Sequence, residues 1–154
     1  MTIPLHRNTV AARDRMAAGD PQCRCHEAPS QDLLLGIEQF NKREFFECHE
    51  TLEAMWLAES DDVRYLYQGI LQVGVGYLHL LRGNHHGATT KLHSGCALLE
   101  YFTPSCMGVD VQSLLTTARR HVERLQLLGV QGLADFNVED IPCIGVSVTR
   151  GSAA

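Results

Sequence analysis

The residues best suited to chemistry lie in one short stretch, His49-Glu50-Thr-Leu-Glu53. The string resembles the zinc-binding H-E-x-x-H helix, in which two ligands four residues apart share a face and the glutamate after the first histidine is the general base. On that pattern His49 and Glu53 bind a metal ion and Glu50 is the catalytic residue that activates water. A carboxylate in place of the second histidine suits zinc, iron or manganese.

A metal site of this kind needs a third protein ligand from elsewhere in the chain. His79 is the best candidate and His93 is the next, so the predicted metal ligands are His49, Glu53 and His79. Five-letter strings recur by chance in helices, and the sequence lacks the paired Glu-x-x-His motifs of di-iron bundles. A metal-dependent hydrolase is therefore one hypothesis among three.

A predicted helix positions these side chains, and its apolar residues indicate which side faces the core. At about 100° per residue, Phe45, Leu52 and Trp56 fall within a narrow arc. His49 lies inside that arc and Glu53 lies beside it. Because burying a charge without a partner is costly, we expect a neighbouring helix to supply hydrogen bonds to this pair.

The next predicted helix carries suitable polar side chains, Gln68 and Gln72, on one side. Gly69 and Gly76 lie beside them and allow another helix to approach closely. The leading hypothesis is therefore a buried structural network, in which the two amides extend the histidine–glutamate pair and no metal takes part.

The periodicity of apolar residues predicts an all-α, single-domain bundle of about five helices. Ser30 is a suitable N-cap for the first helix, Asp110 caps the last one, and Gly129 ends it. No strand pattern recurs. The predicted helices cover residues 30–41, 44–59, 60–82, 87–102 and 110–129.

Two segments flank the predicted bundle domain of residues 30–129. Residues 1–29 lack sustained periodicity and are predicted to form a mobile arm with a short helix around residues 8–18. The Cys-Arg-Cys-His run at residues 23–26 lacks a second ligand pair, so we interpret it as coincidence rather than a zinc site. Residues 130–154 are predicted to form an extended tail over the bundle.

A faint internal repeat relates residues 41–53 to residues 81–93, at an offset of 40. Each segment contains a helix end, a short turn and a helix start, as in the helical hairpins of tetratricopeptide arrays. Trp56 could line a concave surface of such hairpins. The third hypothesis is therefore a helical-hairpin module that binds a protein or peptide partner.

Composition restricts the partners and the compartment. The formal charge of -5 and the scattered basic residues argue against nucleic acid. The sequence has neither an apolar run long enough for a membrane span nor an apolar secretory segment. We therefore predict a cytoplasmic protein whose six cysteines are reduced. The apolar third helix and Trp56 allow a homodimer.

Three sequence blocks together resemble the domain-of-unknown-function family 309: residues 47–56 (ECHETLEAMW), 66–72 (LYQGILQ) and 82–88 (RGNHHGA). The resemblance covers roughly residues 33–103. It implies a small all-helical, cytosolic bacterial protein with no established activity, although some members are labelled predicted metal-dependent hydrolases. Cys48 stands where a small residue such as alanine is usual in the family. The family's signature positions correspond to His49, Glu50, Glu53, Trp56, Gln68, Gln72 and Asn84.

Overall fold

The computed structural model describes residues 3–148, and this part of the chain forms a bundle of six α-helices. The predicted all-α fold class is confirmed. A short 3-10 helix and a two-stranded hairpin, with Ser105 opposite Asp110, join the last two helices. The elements are α1 Arg7–Ala18, α2 Gln31–Asn41, α3 Phe45–Ala58, α4 Arg64–Leu81, α5 His85–Leu99, a 3-10 helix Glu100–Phe102, β1 Ser105–Cys106, β2 Val109–Asp110 and α6 Val111–Leu128.

The core of the bundle lies between two helical hairpins, α2–α3 and α4–α5. α4 packs most extensively against α5 and also contacts α3, while α6 packs against α5. The fully buried ring of Tyr77 lies at the centre, 6.2 Å from the ring of Phe40 and 6.1 Å from that of Phe45. Edge-to-face and tilted contacts at this distance are favourable between aromatic rings.

The predicted helix caps are confirmed. The Ser30 side chain accepts a hydrogen bond from the backbone N–H of Leu33 at 3.1 Å. The Asp110 side chain accepts one from the N–H of Ser113 at 3.0 Å. Gly129 follows α6 with φ of 67°, a conformation that glycine adopts without steric cost.

The internal repeat is visible in the helix boundaries. α2 ends at Asn41 and α3 begins at Phe45, whereas α4 ends at Leu81 and α5 begins at His85. The two boundaries at the turn of the second hairpin therefore lie 40 residues after their counterparts in the first, as the sequence predicts.

The two hairpin turns place equivalent residues in the left-handed backbone region. Gly83 has φ of 75° and Arg43, 40 positions earlier, has φ of 62°. A side chain at such a position is unfavourable. The Arg43 guanidinium donates hydrogen bonds to the carbonyls of Val138 at 2.8 Å and Glu139 at 3.4 Å. These contacts join the turn to the C-terminal segment and offset part of the conformational cost.

Glycines bring α4 and α5 into close contact. A Cβ atom on Gly69 would lie 2.8 Å from Leu99 Cδ2, and one on Gly76 would lie 2.7 Å from Leu92 Cγ. On α5, a Cβ on Gly95 would lie 2.8 Å from the Gly69 carbonyl oxygen. The predicted close approach of a helix to Gly69 and Gly76 is confirmed, and the helix that approaches is α5.

The N-terminal segment is packed, and its description as a mobile arm is wrong. The short helix predicted around residues 8–18 is α1, which lies against α5. Met16 is 1% exposed, Ala12 is buried, and the Thr9 hydroxyl forms a hydrogen bond with that of Ser94 at 2.8 Å. The buried face of α1 comprises only three residues, which is too few for a clear periodic pattern.

A disulfide joins Cys25 to Cys106, so the prediction that all six cysteines are reduced is wrong for this pair. It connects the segment before α2 to β1, where the Cys25 carbonyl also accepts a hydrogen bond from the Met107 N–H at 2.8 Å. The two cysteines lie 81 residues apart in the sequence, and no local pattern indicates their pairing. The cytoplasmic location stays a prediction.

The C-terminal segment runs over the bundle up to residue 148, with short 3-10 helices at Leu133–Asp135 and Val138–Asp140. The Asn41 side chain exchanges two hydrogen bonds with the Ile144 backbone, at 2.6 and 3.1 Å. The rest of the predicted tail, 149–154, lies outside the described residues. The domain boundaries at residues 29 and 129 stay predictions. Among residues 3–148, no helix has both the length and the hydrophobicity needed to cross a membrane.

Candidate functional site

The structure brings His49 and Glu53 together, but at the surface. His49 Nε2 lies 2.9 Å from Glu53 Oε2, the contact that a spacing of four residues on α3 allows. The side chains are 35% and 48% exposed. The predicted pairing is therefore present, whereas the predicted burial is wrong. An ion pair this exposed contributes little to fold stability.

The two glutamines do not extend this pair. Gln68 on α4 is half-buried. Gln72 is 9% exposed, and its Oε1 is buried without a hydrogen-bond partner in the described residues. No hydrogen bond within residues 3–148 joins either amide to His49 or Glu53. The structure therefore does not assemble the buried network of the leading hypothesis.

Trp56 stacks against α4. The guanidinium carbon of Arg64 lies 4.7 Å from the centre of the indole ring, which is cation–π geometry. The Trp56 Nε1 and Arg64 Nε atoms are both buried without a hydrogen-bond partner among the described residues. Trp56 is half-buried, so its ring lies at the margin between the core and the surface of α3.

Asn84 and His79 meet at the turn between α4 and α5. The Asn84 side-chain oxygen accepts a hydrogen bond from the Gly87 N–H at 2.9 Å, which caps the start of α5. Its amide nitrogen lies 3.3 Å from His79 Nδ1. Burial, followed by the charges of Lys91 and Arg82, lowers the pKa of His79. Helix capping thus accounts for Asn84, one of the positions that correspond to the family signature.

The predicted metal ligands do not assemble into a centre. Within the described part of the chain, no three His, Cys, Asp or Glu side chains are grouped so that they could hold a metal ion. His49 and Glu53 provide two donors, and His79 contacts Asn84 instead. Glu50 is an exposed residue of α3, with no metal centre beside it to activate water. This donor set does not fit zinc, iron or manganese hydrolysis.

A different feature of α3 was missed by sequence reasoning. Phe46 is 52% exposed and Leu57 is 64% exposed. With Glu50 and Glu53 they fall within roughly 60° of one another on the helix. We call Phe46, Glu50, Glu53 and Leu57 the α3 face. The signal was present in the sequence, because the spacings 4, 3 and 4 define one side of a helix.

The α3 face lies on a strongly acidic helix. Residues 44–59 contain five glutamates and neither lysine nor arginine. Glu59, which follows α3, forms an ion pair with Arg24 at 2.8 Å. The α3 face itself has two exposed carboxylates between two exposed apolar side chains. Such a surface combines hydrophobic contact with negative charge.

Residues 33–90 match the family model of the domain of unknown function DUF309. The matched segment is just over a third of the chain, and over that segment the chain is similar to this family. The match begins in α2 and ends in α5, so it covers most of the two helical hairpins. It ends at residue 90, whereas the resemblance seen in the sequence extends to about residue 103. No curated protein and no solved structure matches the chain. Because the family description names no activity, the function has to be inferred from the surface of the two helical hairpins.

Proposed function

We propose that the two helical hairpins form a protein-interaction module and that the α3 face binds a basic amphipathic segment of a partner protein. The observation that carries this proposal is the exposure of Phe46 and Leu57 on one side of an acidic helix. This proposal develops the helical-hairpin binding hypothesis and replaces the buried network. It does not involve a metal, since the described residues bring only two of the predicted donors together.

The apolar part of the surface has the dimensions of a helix-binding site. Phe46 and Leu57 lie eleven residues apart, which corresponds to about 16 Å along the axis of α3. Single exposed apolar residues are common on proteins. Two of them on one side of the same helix can contact successive turns of a bound amphipathic segment.

The charge between these residues specifies the kind of partner. Glu50 and Glu53 are exposed between Phe46 and Leu57, and Glu53 already pairs with the half-exposed His49. A partner with lysine or arginine between its apolar residues would place opposite charges together. Electrostatic complementarity of this kind speeds association and excludes acidic partners.

The same charge argues against a second copy of the chain as the occupant. If two α3 faces met, Glu50 and Glu53 of one copy would approach those of the other, and like charges repel. We therefore do not propose a homodimer through this surface. The homodimer that the sequence allows stays a prediction. The exclusion of nucleic acid as a partner likewise stays a prediction.

Binding can be tested with synthetic helices of about 14 residues whose side chains repeat the spacing of the α3 face. The test peptide carries the order Leu, Lys, Lys, Leu. One control replaces the lysines by glutamate and another replaces the leucines by alanine. Trp56 is the only tryptophan and lies on α3, so its fluorescence reports binding without a label. We expect the test peptide to bind at least about tenfold more tightly than either control, and less tightly as salt is raised.

Variants of the protein separate the two components of the surface. Phe46→Ser with Leu57→Ser should abolish peptide binding, and Glu50→Gln with Glu53→Gln should remove its salt dependence. Glu47→Gln is the matched control, because it removes an exposed carboxylate on a different side of α3. The proposal is wrong if the test peptide does not bind, if the glutamate peptide binds equally well, or if Glu47→Gln has the effect of the double glutamine variant.

A further inference from the structure

A second candidate site lies where the C-terminal segment passes over α6. A cavity of about 440 Å³ separates the two, and small-molecule sites in proteins are commonly about 300–1,000 Å³. Its floor contains His121 of α6 and Phe136 of the C-terminal segment, whose rings pack edge to face at 5.0 Å. Both residues are buried. The cavity lies outside residues 33–90, which match the family model, and is independent of the α3 face.

The two walls of this cavity carry opposite charges. Arg120 and Arg124, four residues apart on α6, line one wall, with Glu123 between them. Asp135 and Asp140 line the wall formed by the C-terminal segment. Within residues 3–148, neither of these arginines forms an ion pair with either aspartate, so charges of both signs line the cavity without pairing with each other.

His121 adds a polar group at the floor. Its Nδ1 lies 2.7 Å from the hydroxyl of Tyr77, which is fully buried. Burial raises the pKa of Tyr77, so this hydroxyl keeps its proton and can donate to Nδ1. When the hydroxyl donates to Nδ1, the second ring nitrogen, Nε2, carries the proton and can donate a hydrogen bond to a ligand. Burial and Arg120 lower the pKa of His121 while Asp140 raises it, which places charges of both signs near the ring.

We propose that the cavity between α6 and the C-terminal segment binds a small zwitterion of the α-amino acid class. The carboxylate of the ligand would accept hydrogen bonds from Arg120 or Arg124 and from His121 Nε2. Its ammonium group would lie against Asp135 and Asp140. The opposite charges of the walls select a molecule that carries both groups, because an anion or a cation alone would satisfy only one wall.

The charge requirement can be tested with three compounds that share one apolar chain: leucine, 3-methylbutylamine and 4-methylpentanoate. Binding of each to the full chain is followed by chemical-shift changes in amide NMR spectra, a method suited to millimolar affinities. We expect leucine to bind with a dissociation constant in about the millimolar range, and the amine and the acid to bind at least about tenfold more weakly. The shifts should centre on residues of α6 and the C-terminal segment.

Variants assign the two halves of the ligand to the two walls. Arg124→Gln should weaken binding of leucine and of the acid but not of the amine, whereas Asp135→Asn should weaken binding of leucine and of the amine but not of the acid. Both side chains are exposed, so the variants should fold. Arg82→Gln is the control, since it removes an exposed arginine that does not line the cavity.

Three results would overturn the proposal. The first is no binding of leucine at concentrations up to about 20 mM, where a millimolar site would be nearly saturated. The second is equal binding of all three compounds, which would show that charge is not recognised. The third is unchanged leucine binding in both cavity variants, which would place any binding site elsewhere.

Discussion

Gly95 lies at the closest approach of α4 and α5, and its replacement by alanine tests whether the packing of these helices depends on backbone contact. A Cβ atom there would lie 2.8 Å from the carbonyl oxygen of Gly69 and 2.9 Å from the backbone nitrogen of Val73. It would also lie 2.7 Å from Val73 Cγ2. A side chain can rotate away from such a contact, but backbone atoms cannot. The two helices would have to separate.

The expected magnitude follows from two opposing effects. Overpacking a close contact costs about 1–3 kcal/mol, and two backbone contacts place Gly95→Ala at the upper end of that range. Alanine in place of glycine within a helix returns about 1 kcal/mol. We therefore expect a net loss of about 2 kcal/mol in the free energy of unfolding. In a chain of this length, that loss lowers Tm by roughly 4–8 °C.

The measurement is denaturant and thermal unfolding, followed by circular dichroism, of Gly95→Ala beside Gly74→Ala. A Cβ on Gly74 would meet only the rings of Phe40 at 3.5 Å and Phe45 at 3.6 Å, which are ordinary contacts. Gly74→Ala should therefore keep the benefit of helix propensity and raise stability by about 0.5–1 kcal/mol. Equal effects of the two substitutions would refute the reasoning, because both glycines are buried within helices and differ in what their Cβ atoms would meet.

Three further predictions concern ionisable and covalent groups. Glu53→Gln should change the free energy of unfolding by less than about 0.5 kcal/mol, because the pair with His49 is exposed, and a loss of several kcal/mol in a denaturant titration would contradict this. Burial lowers the pKa of His121 in the folded state, so stability should fall as pH drops below the unfolded value near 6.5. Unfolding measured between about pH 7 and 5 should lose part of that slope in His121→Gln but not in a variant of the exposed His86. Reducing the Cys25–Cys106 disulfide should cost about 4 kcal/mol, because it closes a loop across 81 residues; thiol alkylation with and without prior reduction shows whether the bond is present.

Much of the fold could be predicted because its determinants are local. Ser30 and Asp110 cap helices through hydrogen bonds that reach only three residues along the chain. The 40-residue repeat predicts two equivalent turns between helices, and the helix boundaries at Asn41 and Phe45 recur at Leu81 and His85. Each of these features can be recognised from a few neighbouring residues.

The features that sequence reasoning missed depend on contacts between distant parts of the chain. α1 is held by residues such as Thr9, whose partner Ser94 lies 85 positions away. The disulfide joins Cys25 to Cys106 across a similar distance. Neither partner is indicated by periodicity or spacing, because the pairing is set by how the helices pack.

The burial of the site was mispredicted because the core-facing side of α3 was located from its aromatic residues. The residues actually buried are Phe45, Cys48 and Leu52, whereas Trp56 is half-buried. The mean direction of these three buried residues lies roughly 30° from that of Phe45, Leu52 and Trp56, on the side away from His49. This difference moves Glu53 out to the solvent. α3 packs against both α2 and α4, so Cys48 belongs to its core-facing side as much as the aromatic residues do.

This rotation changes what the ionisable side chains of α3 can do. A buried His49–Glu53 pair would act on the fold, because losing one partner would leave the other charged in the core. At 35% and 48% exposure the same pair hardly affects stability, but it remains accessible to other molecules. Exposed carboxylates between Phe46 and Leu57 are costly to cover with another acidic or apolar surface, and favourable to cover with a basic one. These residues, which form neither a buried network nor a group of metal ligands in the described part of the chain, are the ones that we propose to recognise a basic partner.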